Sequence, residues 1–376
     1  MRNKKKILRA VTSAQSLVFC RDVMVKMRAV GYDMVAVTSP GPELDSLRHD
    51  DGFRCVAVPM HRRISPVADL VSLVRLVIVM AKERPWVVHS MTPKAGLLCM
   101  IAAWLTGVPV RVHTFTGLVW PTATGLKRRL LMMTDRITCA CATHVIPEGK
   151  GVMHDLQHGG ITSKPMRVLG HGNVKGVDIE RFDPSRLGAQ AASGAFTFLF
   201  VGRIVGEKGI NELVEAFARL HEEQPATRLV LVGNYETELD PLSQGTRRVI
   251  DAMDAIETPG PKRGDDLVSA YAEADCFVMP SYREGFPNVV LEAGAMGLPS
   301  VVTDINGSRE IVENGKNGLV VPPRDAAALY DAMKLMATDN EARQRMAREA
   351  RPMIVSRFER GYVQRCQIEF YKDVMG

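Results

Sequence analysis

The sequence predicts an α/β chain of two doubly wound, Rossmann-like domains facing a central cleft, and three observations carry that expectation. Short apolar runs alternate with segments of helical periodicity along the whole chain, the pattern of βα units around a parallel sheet. The 376 residues suffice for two or three domains of ordinary size. Ser185 to Gly194 is a run of small and polar residues separating two such series, hence a linker.

The first series has candidate strands at Ile7 to Val11, Met34 to Thr38, Val56 to Val58, Trp86 to Ser90, Val110 to Thr114 and His144 to Ile146. The second has Phe196 to Val201, Leu229 to Val232, Cys276 to Met279, Ser300 to Thr303 and Leu319 to Val321. The expected domains are 1–188 and 189–356, with a helix over about 357–376 returning to the first. Ligands of such sheets bind at the carboxyl ends of the strands, which makes the cleft the expected active site.

Composition narrows the function classes. With 46% hydrophobic and 24% charged residues, the chain lies far from the signature of disorder. Residues 1–190 carry a net charge of +13 and residues 191–376 carry −7, so the first half is expected to face an anionic partner. No zinc-finger, RNP-type or basic-helix signature accompanies that charge, and nucleic acid is not expected. Cys139 and Cys141 have no second Cys/His pair at ligand spacing, so no metal is assigned, and the seven scattered cysteines read as reduced thiols. Arg9 and the polar residues after it interrupt any signal-peptide core. The longest uncharged apolar run, 95–110, is too short to span a bilayer.

Two segments carry chemistry. In Phe200-Val-Gly-Arg-Ile-Val-Gly-Glu-Lys-Gly209 a strand runs into a glycine-punctuated loop. There Arg203 and Lys208 could set two positive charges beside a diphosphate, each worth about 4 kcal/mol at about 4 Å and a dielectric of about 20, before desolvation; a βα turn with a solvated Arg and Lys is the plain alternative. In Pro280-Ser-Tyr-Arg-Glu-Gly-Phe-Pro-Asn-Val-Val-Leu-Glu292 a strand ends at Met279, Gly285 permits a turn, and a helix begins near Asn288. The amides of Asn288, Val289 and Val290 then form the positive end of that helix. Glu284 and Glu292 lie on the order of 10 Å apart, the span from a ribose across a diphosphate to a sugar. Two surface carboxylates favouring a helix start are the plain alternative.

Together with Asn306-Gly307 through Glu310 and Asn317-Gly-Leu-Val320, these segments resemble glycosyltransferase family 4. His89-Ser-Met-Thr-Pro-Lys-Ala-Gly96 and Val112-His-Thr-Phe-Thr-Gly-Leu118 are similar to the capsule and lipid-linked-oligosaccharide branch, whose members act on polyprenyl-diphosphate sugars. The resemblance implies a GT-B fold, a nucleotide-sugar donor on the C-terminal domain, retention at the anomeric carbon, and no metal or other cofactor. It implies that Arg203 and Lys208 clamp the diphosphate, Glu292 contacts the ribose and Glu284 the donor sugar. Gly202, Gly285, Phe286, Asn288, Val289 and Val290 complete the donor site. The base, uracil by default, is expected near Pro259 to Arg263. His113 becomes a catalytic-site residue that contacts a donor-sugar hydroxyl. Ser13, Gln15, His89, Lys94 and Thr116 are expected at the acceptor, although the Thr12–Ser16 loop lacks the glycines that family members often carry.

A lipid acceptor gives the basic half a meaning. His61-Arg-Arg63, Arg75, Lys82, Arg84 and Lys127-Arg-Arg129 stand beside apolar stretches, as in a cytoplasmic domain resting on the anionic inner face of the cell membrane. Core helices with solvated basic flanks are the alternative. A catalytically silent nucleotide-sugar-binding subunit and a sugar-nucleotide epimerase of the same fold are the competing functions.

Overall fold

The computed structural model describes residues 3–61, 64–186, 194–236 and 240–375. Arg62 and Arg63, and most of the linker, lie outside the described residues. The chain divides into two compact units, one formed by residues up to Lys175 together with Gly361 onward, the other by Gly176–Arg360.

The N-terminal unit is built on strands β1 (Asn3–Ala10), β2 (Asp33–Thr38), β3 (Arg54–Ala57), β4 (Pro85–Met91), β5 (Val110–Phe115) and β6 (His144–Pro147). They form one parallel sheet in the order β3-β2-β1-β4-β5-β6. Its helices are α1 (Arg21–Ala29), α2 (Pro42–His49), α3 (Pro66–Glu83), α4 (Pro93–Leu105), α5 (Gly125–Cys141) and α6 (Lys150–His158). Side chains of β1 alternate between two cores: Leu8 and Ala10 face the α3, α4 and α5 side, Ile7 and Val11 the other. Both faces are covered, so the strands read as nearly continuous apolar runs.

The second unit repeats the plan with β7 (Phe196–Val201), β8 (Thr227–Val232), β9 (Ile256–Gly260), β10 (Cys276–Met279), β11 (Ser300–Thr303) and β12 (Gly318–Val321). The order is β12-β11-β10-β7-β8-β9, the same winding. Its helices are α7 (Ile210–Glu223), α8 (Gln244–Ala252), α9 (Gly264–Ala272), α10 (Asn288–Ala295), α11 (Ser308–Ile311), α12 (Ala326–Thr338) and α13 (Asn340–Phe358). Phe198 and Phe200 pack on one face of β7, Leu199 and Val201 on the other, each fully buried side chain contributing about 1.5–3 kcal/mol.

The division precedes the 188/189 of the sequence reading because Val177 and Phe182 belong to the second core and Val177 N–H donates to the Phe358 carbonyl at 2.9 Å. The last helix, α14 (Arg360–Met375), brings Phe370 and Tyr371 into the N-terminal core. One strand escaped the sequence reading. β9 is Ile-Glu-Thr-Pro-Gly, with Ile256 alone fully buried; it is an edge strand, where one unpaired side tolerates Pro259.

Candidate active site

In each unit the strand order reverses between the first and fourth strands, where ligands of doubly wound sheets sit. The loops after β7 and β10 in the C-terminal unit carry the predicted donor residues, and they are stitched together. Gly209 holds a left-handed φ of 72°, and a Cβ there would lie 2.0 Å from the Pro280 carbonyl oxygen; only glycine permits this approach. Tyr282 N–H donates to the Glu207 carbonyl at 2.9 Å. Gly307 has φ 75°, and a Cβ there would lie 2.3 Å from the Gly285 carbonyl oxygen, which draws the Asn306-Gly307 motif onto the turn before α10.

This stitching brings Lys208 and Glu284 into a direct ion pair, each side chain 14% exposed. Arg203 is held by Glu236 and, at 2.7 Å, by Glu207; Arg283 reaches Glu207 at 3.0 Å. Three cations thus meet three carboxylates. Arg203 and Lys208, the two cations expected beside a diphosphate, are each paired with a carboxylate here, from Glu207 in the same loop, Glu284 in the loop after β10 and Glu236 in the loop after β8. Burial pushes Glu207 up, but Arg283 and Arg203 overcome it and hold its carboxyl below the usual range. Burial likewise opposes the Arg203 charge, and Glu236 and Glu207 more than restore it. Asp240 Oδ2 accepts the Glu207 N–H at 2.5 Å.

α10 begins at Asn288 with Pro287 capping it. Val290 N–H donates to the Pro287 carbonyl at 3.2 Å, so that amide, counted in the sequence reading as part of the helix's positive end, is already engaged. Phe286 and Val290 are core residues, and Val289 packs against them. Glu292 accepts the Tyr271 hydroxyl at 3.0 Å; burial and that carboxylate drive the phenol well above its ordinary range. Gly202 closes the exit of β7, its N–H bonded to the Val232 carbonyl at 2.9 Å.

In the N-terminal unit the two predicted histidines are buried and neutral. His113, 1% exposed, stacks on Gly96, where a Cβ would lie 2.4 Å from Cε1. Its Nδ1 lies 2.9 Å from Ser90 Oγ, and burial drives its pKa down to about 3 against the pull of Ser90. Nε2 carries no hydrogen bond among the described residues. His89 lies on the opposite sheet face, its Nδ1 2.7 Å from Arg9 Nη1 and 2.6 Å from Tyr371 Oη. Arg9 can only donate, so the His89 proton sits on Nε2 and is given to Thr114 Oγ1 at 2.7 Å. Burial, then the Arg9 charge, drive His89 well below its ordinary pKa. His89 is therefore occupied in a buried network under α14.

Lys94, at the first turn of α4, is paired with Asp69 at 2.7 Å. Thr12 Oγ1 accepts Ala95 N–H at 3.1 Å and bonds Thr92 Oγ1 at 2.7 Å. Thr92 sits at φ 69°, a strained setting for a β-branched residue. Ser13 Oγ lies 3.1 Å from Ser16 Oγ, and Ala14 fills the space beside Gly41. Gln15 is exposed and Thr116 half-buried. Thr116 and His113 line a small nook with Trp120 and Asp135. Asp135 comes from α5, which carries no motif, so sequence reading gave no signal for it. The same holds for Glu236 and Tyr271. The described residues contain no group of three or more His, Cys, Asp or Glu placed to hold a metal.

Residues 17–172 match the glycosyl transferase 4-like domain and residues 186–353 match glycosyl transferases group 1. The capsular polysaccharide biosynthesis glycosyltransferase CapM of Staphylococcus aureus is 31% identical over 370 residues, 95% of this chain and 94% of that protein. The chain belongs to this glycosyltransferase family. This glycosyltransferase is also 30% identical over 334 residues, 85% of its length and 83% of the relative's, to the UDP-Gal:α-D-GlcNAc-diphosphoundecaprenol α-1,3-galactosyltransferase of Escherichia coli. The two relatives support its place in the capsule and lipid-linked branch. The structure of Anabaena Alr3699/HepE in complex with UDP superposes with a TM-score of 0.80 at 17% identity, covering 98% of this chain and 100% of that one; the fold is GT-B.

Proposed function

We propose that this glycosyltransferase moves a hexose or N-acetylhexosamine from a UDP-sugar to a polyprenyl-diphosphate saccharide, with retention, on the cytoplasmic face of the cell membrane. The observation that carries the reading is the cluster of Arg203, Lys208 and Arg283 on two stitched loops at the carboxyl ends of β7 and β10, the second of which leads into α10 and its Glu292. A nucleoside diphosphate supplies the negative charge that replaces their carboxylate partners. The relatives' names supply the lipid-linked acceptor and the UDP carrier.

In the transfer the acceptor oxygen bonds to the anomeric carbon as the bond from that carbon to the phosphate oxygen breaks. The electron pair leaves with the phosphate, which takes the acceptor's proton. Arg203 and Lys208 stabilise the departing charge, and Glu284, released from Lys208, accepts a sugar hydroxyl. His113 stays neutral, and with its proton on Nδ1, given toward Ser90, its Nε2 is an acceptor for a hydroxyl and not a proton carrier near neutrality. The reading assigns no metal or other cofactor to these steps. It is tested by calorimetric titration of UDP, then by incubation with UDP-sugars and isoprenoid-diphosphate saccharides and mass analysis of the product. Absence of UDP binding overturns it, and binding without any transfer makes the chain a binding subunit.

The same reading places the N-terminal unit on an anionic leaflet. Val67, Leu70, Val71, Val74 and Ile78 form an exposed apolar stripe at helical spacing on α3. α5, on the far side of α4, exposes Leu126, Leu130, Met133 and Ile137 beside Lys127, Arg128 and Arg129. No described helix is long and apolar enough to cross a membrane. Cosedimentation with phosphatidylglycerol vesicles, lost on charge reversal at Lys127, Arg128 and Arg129 and absent with phosphatidylcholine, is the expected result. Equal sedimentation with both lipids removes the anionic surface.

A further inference from the structure

Tyr271 lies on α9 within the second core and has no exposed surface. Its ring packs edge-on against Phe182 and tilted against Phe277, both centroids at 5.9 Å. A phenylalanine ring would pack the same way, so packing does not account for the hydroxyl, and a buried hydroxyl is costly unless it is bonded. The bonds it makes lead out of the core to α10: Oη lies 3.0 Å from Glu292 Oε2 and 3.3 Å from the Val289 carbonyl oxygen. A phenol has one proton to give. The shorter contact, to a charged acceptor, takes the larger share of it, and a pKa held well above the ordinary range keeps the phenol a donor at neutral pH.

Glu292 is half-buried, whereas Tyr271 is sealed from any ligand. Whatever the phenol does for a ligand, it does through the carboxylate. A glutamate held in one geometry before binding spares the complex the cost of ordering it, and a carboxylate has about four acceptor positions, of which the phenol uses one. We propose that Tyr271 is a positioning residue for the nucleotide: its hydroxyl anchors one oxygen of Glu292 and so aims the carboxylate at the ribose hydroxyls, making the phenol a determinant of ribose over deoxyribose. The inference rests on the nucleotide-sugar reading, in which Glu292 contacts the ribose, and adds the residue that holds it there.

Calorimetric titration of the whole chain with UDP, 2′-deoxyUDP and 3′-deoxyUDP tests it. The unaltered protein is expected to bind UDP about tenfold or more tightly than at least one of the deoxy analogues, and Glu292→Ala to erase that preference. Tyr271→Phe, which keeps the ring and its packing, should narrow the preference about three- to tenfold, by weakening UDP and not the deoxy analogue. In the Glu292→Ala background the same substitution should leave the ratio where it is, the mark of one residue acting through another.

A ratio that survives in Tyr271→Phe overturns the proposal and leaves the phenol a packing residue. Equal losses for UDP and the deoxy analogues overturn it too, because they report a general loosening of α10. An unaltered protein that binds all three alike removes Glu292 from the ribose, and the inference with it, while the cationic cluster stands. Absence of UDP binding is the separate failure, that of the nucleotide reading itself.

Discussion

At the carboxyl ends of β7, β8 and β10, three basic side chains and three carboxylates are packed into three loops, Glu236 coming from the one after β8. At the carboxyl ends of β4 and β5, the buried groups are two uncharged histidines and threonine hydroxyls, with the Arg9 guanidinium bonded to His89. Both lie on sheets wound in the same order, so the winding supplies a place for a ligand and says nothing of its charge. Side chains decide that. On the proposed reading, the C-terminal loops exchange their carboxylates for the phosphates of a nucleotide, whereas the histidines and hydroxyls of the N-terminal loops meet uncharged parts of the saccharide.

The contrast can be broken most severely at Glu284. Glu284→Gln is expected to lower sugar transfer on the order of 10³-fold while calorimetry still shows UDP binding; loss of UDP affinity alone would move Glu284 to the nucleotide. Lys208→Ala should reduce turnover by roughly 10² to 10³, and near-normal turnover would remove it from leaving-group stabilisation. Glu236→Gln sharpens the exchange idea, because it removes a competitor for Arg203. UDP should bind about three- to tenfold tighter, and weaker binding would make Glu236 part of the ligand's own contacts.

The smallest effect is on the N-terminal side. Burial raises the Asp135 carboxyl to about 7, against the pull of the Trp120 indole, and the facing titratable group is the Cys139 thiol one turn along α5. Because the folded chain holds that proton more tightly than the unfolded one, this group's contribution to stability falls as pH rises from about 4 to about 7. Asp135→Asn should therefore melt about 2–4 °C higher than the unaltered protein at pH 8 and little differently at pH 4. An equal gain at both pH values would show that charge is not the cause.

Much of this was legible because period and punctuation are local. Eleven of the twelve strands among the described residues announce themselves as apolar runs, and β9 does not because an edge strand needs few apolar residues. The glycines at 209 and 307 mark real close approaches. What sequence could not disclose is pairing across distance: Lys208 with Glu284, Arg203 with Glu236, Glu292 with Tyr271, and Trp120 beside Asp135. His89 teaches the same lesson, since a strand-end histidine gives no hint that Tyr371, at the other end of the chain, will reach it.

That last contact sets an order of assembly. Arg9 is fully buried with no carboxylate among its partners, and Tyr371 supplies one of its few bonds, at 2.6 Å. A ribosome adding about 5–20 residues per second spends on the order of 10–40 s on residues 176–360 before α14 emerges. The half of the protein made first is thus the half completed last, and its nascent sheet must wait with a guanidinium uncovered until the final turns arrive.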